Sequence, residues 1–112
     1  MNISIPIPIY STKVIVVTEK SKCGASYMTT EDGLDNHVVI VNCEMTNDNI
    51  YCHTFLRCLS HELNHAAMCI LGARGISFDY NNQESLCYLQ DYLMSETLDK
   101  IVIKTNKANS NE

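Results

Sequence analysis

A chain of 112 residues, 46% hydrophobic and 19% charged, suits one folded domain with one modest core and is not composed like a disordered segment. Its net charge of −5, with no basic run beyond Lys104 and Lys107, argues against nucleic-acid binding through an electrostatic patch. No apolar run approaches the roughly 20 residues that cross a bilayer, and Met1 to Pro6 lack the basic and apolar regions of a signal peptide, so no membrane partner is expected.

Taken in order, residues 1–11 carry Ile5-Pro6-Ile7-Pro8-Ile9. Two prolines forbid a central strand there and favour an extended edge or an ordered arm. Thr12 to Thr18 is almost wholly β-branched and reads as a strand buried on both faces. Ser21 to Thr30 is a weaker strand, where Gly24 and Ala25 permit a bulge. Glu31 to Asn36 carries the Asp-Gly and Asp-Asn chemistry of a turn. His37 to Asn42 is a second firm strand. The N-terminal half is therefore expected to be a small sheet of about three strands, partly antiparallel.

Thr46-Asn47-Asp48-Asn49 offers N-caps for a long helix from about Asn49 to Leu71. Gly72-Ala73-Arg74-Gly75 supplies its stop. A second helix is expected from about Asn82 to Lys100 or a little beyond, with Leu86, Leu89 and Leu93 as its core stripe. Glu84, Tyr88, Asp91 and Ser95 form another stripe on the same helix. Residues 104–112 are almost without apolar side chains and read as a frayed tail beyond a single domain over residues 1–103. The expected class is α+β: a small sheet, then two long helices.

The first helix contains His61-Glu62-Leu63-Asn64-His65. Residues four apart lie on one helix face, so His61 and His65 can aim two imidazoles at one point. That is the spacing of two zinc ligands, with the intervening glutamate as general base. At about 100° per residue, Thr54, Cys58, His65, Met68 and Gly72 fall within roughly 60° of His61. Phe55, Leu59, Leu63, Ala66 and Ile70 form an apolar stripe roughly 120–180° round, and His53, Arg57, Ser60 and Asn64 fill a polar sector. The helix thus has a core face, a water face and a histidine face of little charge.

A catalytic zinc needs a third protein ligand and an open position for water. Glu84, 19 residues beyond His65, begins the next helix and is the first candidate. Asn81-x-x-Glu84 is also a capping-box pattern, in which the glutamate only satisfies a backbone N–H. Asp79 in the loop and Asp91 deeper in the helix are rivals. The six cysteines, at 23, 43, 52, 58, 69 and 87, include no Cys-x-x-Cys pair and read as reduced thiols packed as small hydrophobes. Cys58 falls near the histidine face, where it could line the site.

The spacing from His65 to Glu84 resembles that of the gluzincin metallopeptidases, whose third ligand is a glutamate on a following helix. The run His61 to Ala67, then Gly75, then Asn82-Gln83-Glu84-Ser85-Leu86-Cys87-Tyr88-Leu89, is similar to a group of small zincin-like metallopeptidases encoded by bacteriophages. That resemblance covers residues 12–100 in layout and 59–93 in residues. It implies a minimal zincin-like domain, zinc held by His61, His65 and Glu84, and location in a bacterial host cytoplasm. It also implies a strand of the sheet that pairs with the substrate backbone.

In that chemistry the ion lowers the pKa of its water towards about 7, and Glu62 takes the proton and passes it to the leaving amine. Tyr88 is the candidate oxyanion donor, with His37 second. Asp91 or a backbone carbonyl could orient a ligating histidine. The expected partner is a peptide or protein substrate. A rival expectation is a phage accessory protein of the same fold that binds a host factor without cutting it. A third is a metal-free interaction protein in which the two histidines are accidental.

Overall fold

The computed structural model describes residues 1–19, 26–29, 36–42, 52–77 and 79–110. Four strands form one sheet: β1 (Asn2–Ile7), β2 (Thr12–Glu19), β3 (Ser26–Thr29) and β4 (Asn36–Asn42). Two helices follow, α1 (His53–Ala73) and α2 (Gln83–Ser110). The class is α+β, as the sequence leads one to expect. The spatial order is β1-β2-β4-β3, with β1/β2 and β3/β4 antiparallel and β2/β4 parallel.

The Ile-Pro arm is a fourth strand. It takes the edge position, where Pro6 costs no ladder bond because its missing N–H faces away from β2. The pairing parity shows this: Met1 N donates to Thr18 O and Thr18 N donates to Met1 O, each at 2.9 Å, so odd residues bond β2 and even ones face outward. The chain leaves β1 through a short 3₁₀ turn at Pro8–Tyr10, closed by Ser11 at φ 52°.

One face of the sheet is the core. Ile3, Ile5, Ile7, Val14, Val16, Thr18, His37, Val39 and Val41 are buried there, in register from strand to strand. β2 departs from the expectation of burial on both faces: Ile15 and Val17 are only half-buried, because both helices pack on the other side. α1 lies against β4 and β3, and α2 against α1 and β1. The predicted apolar stripe of α1, Phe55, Leu59, Leu63, Ala66 and Ile70, is buried throughout.

α1 ends at the predicted stop. Ile76 N bonds Leu71 O and Gly75 N bonds Gly72 O, each at 3.0 Å, the paired bonds of a Schellman motif, and Gly75 takes the left-handed φ of 77° that this requires. α2 does not stop near Lys100. It continues through residues 104–110, which were expected to fray, because Thr105 is buried and Lys104 Nζ donates to Asn2 O. The turn at Glu31 to Asp35, the caps at Thr46 to Asn49, the Gly24-Ala25 bulge, Cys23 and Cys43 lie outside the described residues.

Candidate metal centre

α1 places His61 and His65 one turn apart on a face that looks into solvent; both are exposed. Their Nε2 atoms are 3.2 Å apart, with ring centroids 4.9 Å apart and ring planes at 73°. Two imidazole nitrogens on one tetrahedral zinc, each at about 2.05 Å, stand about 3.3 Å from each other. The pair therefore already has the separation of two ligands on a common ion. Without an ion, the same distance suits an N–H···N hydrogen bond between opposite tautomers.

Glu62 is about 100° round the helix from His61, between the histidine stripe and the core stripe. Its exposure is 7%, and its Oε1 stands 3.8 Å from His61 Nε2. A carboxylate set at the edge of an apolar core loses hydration, a loss that a well-packed aliphatic residue would avoid. Held beside two imidazoles, it can accept a proton from a polar group bound in front of them. Arg57, Cys58, His61 and Glu62 line a pocket of about 240 Å³ there. Cys58 thus contributes to the wall of the site, as its helical phase suggested.

The second helix does not complete the set. Among the described residues no group of three histidine, cysteine or acidic side chains converges as metal donors. Glu84 is exposed in the first turn of α2. Its helical phase explains this. Gln90 faces α1, donating from Nε2 to Ser60 O at 3.2 Å. Glu84 is about 120° round from Gln90, and about 180° from the buried Leu93. Tyr88, about 160° from Gln90, is turned away as well. It is 70% exposed and lines a different groove, of about 530 Å³, with Ile7 to Tyr10, Leu89 and Tyr92.

The remaining candidates are placed by their surroundings. The Asp79 carboxylate caps the start of the second helical segment, accepting from Asn81 N at 2.8 Å, Asn82 N at 3.2 Å and Ser77 Oγ at 3.1 Å. That is a cap two residues ahead of the Asn81 expected from sequence. Asp91 and His53 are exposed, and His37 is completely buried under α1 on β4. Arg57, assigned from sequence to the water face, is exposed and also lines the pocket beside His61 and Glu62. Its phase, about 40° from His61, was the available signal. No protein-family model, curated protein or solved structure matches the chain.

Proposed function

We infer that the chain is a zinc-dependent peptide hydrolase of zincin type, acting in the cytoplasm of a bacterial host, with His61 and His65 as ligands and Glu62 as general base. The observation that carries this reading is the pair of Nε2 atoms 3.2 Å apart with a buried carboxylate 3.8 Å from one of them. The two histidines fit zinc in type and separation; Glu84 is the third donor the reading calls for, and it is not grouped with them. When bound, zinc supplies a Lewis acid for the scissile carbonyl and acidifies water. Glu62 takes up the proton released and returns it to the leaving amine. Tyr88 and His37, the oxyanion donors expected in that order, do not line the pocket of His61 and Glu62: Tyr88 lies on the far side of α2 and His37 is completely buried.

A substrate main chain needs a free strand edge. β1 does not offer one: Tyr92 Oη donates to Pro6 O at 2.6 Å, Lys100 Nζ to Ser4 O at 3.0 Å, and Lys104 Nζ to Asn2 O, so its outward carbonyls are occupied by α2. β3, at the other end of the sheet and against α1, is the strand this reading assigns to the substrate.

The second reading is an accessory protein that binds a host factor without hydrolysis. The groove with exposed Ile9 and Tyr88 favours it, since clustered exposed apolar side chains mark contact surfaces.

Elemental analysis of the wild type, His65→Ala, Glu84→Ala and Glu62→Gln after zinc loading tests the proposal. The expected result is about one zinc per chain in the wild type and in Glu62→Gln, none in His65→Ala, and a reduced ratio in Glu84→Ala. Hydrolysis of a peptide pool by the wild type but not by Glu62→Gln would complete the case. Absence of zinc from the loaded wild type would sink it. Zinc uptake with no cleavage of any peptide would favour the accessory reading.

A further inference from the structure

We propose that Arg57 is the specificity anchor of the site, holding a substrate carboxylate beside the scissile bond. This rests on the hydrolase reading for the word substrate; the anion site itself does not.

Arg57 stands one turn before His61 on α1 and lines the same pocket as His61 and Glu62. No hydrogen bond or ion pair engages its guanidinium among the described residues. The contrast with the other arginine is informative. Arg74 is fully committed, donating from Nε to Tyr10 O at 3.1 Å and from Nη1 to Ile70 O at 3.1 Å.

The guanidinium is a rigid fork whose geometry matches a carboxylate by two parallel bonds. Within the pocket, Glu62 disfavours an anion, and Arg57 is the side chain with a permanent positive charge and a forked set of donors. Arg57 and His61 are four residues apart, about 6 Å along the helix axis, so a carboxylate on Arg57 would be held near the level of His61. That distance fits an acidic side chain or a terminal carboxylate adjoining the bond presented to Glu62. The substrate class is therefore peptides with a carboxylate next to the cleaved bond, and neutral or basic sequences are disfavoured there.

Binding of three small probes to the metal-free protein at pH 8 tests this, read from the NMR signals of the His61 ring and the Arg57 Nε–H. The probes are N-acetyl-alanine, N-acetyl-aspartate amide and N-acetyl-alanine amide. Saturable binding of a carboxylate probe is expected, at least tenfold tighter than the neutral amide and at least tenfold weakened in Arg57→Ala. Arg57→Lys should retain part of it. Tighter binding of N-acetyl-alanine identifies a terminal carboxylate as the feature read, and tighter binding of the aspartate amide identifies a side chain. Equal binding to wild type and Arg57→Ala, or equal binding of the neutral amide, overturns the proposal.

The two readings fail separately. Carboxylate binding without zinc uptake would remove the hydrolase and leave the anion site. Cleavage by a zinc-loaded protein with the same kcat/KM on acidic and neutral peptides, unchanged in Arg57→Ala, would leave the hydrolase and remove the anchor.

Discussion

Cys52 shows how a single position is shaped by the element it opens. It is the residue before the first turn of α1, exposed, and its sulfur faces the N–H groups of Phe55 and Thr54. As a thiol it makes no capping bond; as a thiolate it is favoured by those donors, and its pKa is held below the ordinary thiol value. The fold therefore favours the charged form. Cys52 adds stability above the usual thiol range, and this contribution fades as pH falls through the lowered pKa. Iodoacetamide at pH 8 should label Cys52 faster than Cys87, which is also exposed, as followed by peptide mass mapping; equal rates would contradict the assignment. At this scale the sequence disclosed a good deal. His61, Glu62 and His65 are set by spacing and phase alone. Arg57 is exposed, as its polar sector led one to expect, and its angle of about 40° from His61 also sets it on the wall of the same pocket.

Between elements, a few side chains reach the backbone of distant segments. Arg74 ties the end of α1 to the turn after β1 through Tyr10 O, with its guanidinium carbon 5.8 Å from the Tyr10 ring centre. Arg74→Ala would leave Tyr10 O and Ile70 O without these donors, at a cost of about 1–3 kcal/mol. A lower melting temperature, by roughly 4–8 °C per kcal/mol in a domain of this size, is the expected reading from calorimetry. No shift would mean that water replaces the guanidinium at no cost. Nothing in sequence could pair Arg74 with Tyr10, 64 residues away. The orientation of α2 was more accessible. Leu86, Leu89 and Leu93 define its buried side, and Glu84 lies about 160–180° from Leu86 and Leu93. The chain spacing to Glu84 matched a ligand; its phase did not.

Across the whole molecule, α2 serves as the clasp of the sheet edge. Its C-terminal half buries Thr97, Ile101 and Thr105, and it is not an appendage. Ile101→Ala should cost about 2–5 kcal/mol, a large part of the roughly 5–15 kcal/mol that holds a domain folded. Urea unfolding would register this as a lower midpoint with the same slope; a midpoint equal to the wild type would mean the C-terminal half of α2 contributes nothing. The layout of sheet then helices was legible because β-branched runs and a 3.6-residue apolar period are local signals. The length of α2 was not, because its last turns hold few apolar residues and depend on carbonyls of β1 for partners.

Those carbonyls also set an order of events. The three bonds from α2 to β1 span 86, 96 and 102 residues of chain. β1 thus leaves the ribosome long before the helix whose side chains cover its outward carbonyls. Until then its outward edge is bare, and a bare strand edge is a template for pairing with another chain. Synthesis of this protein therefore passes through an interval in which nascent chains are open to one another, and the lysines of α2 end it.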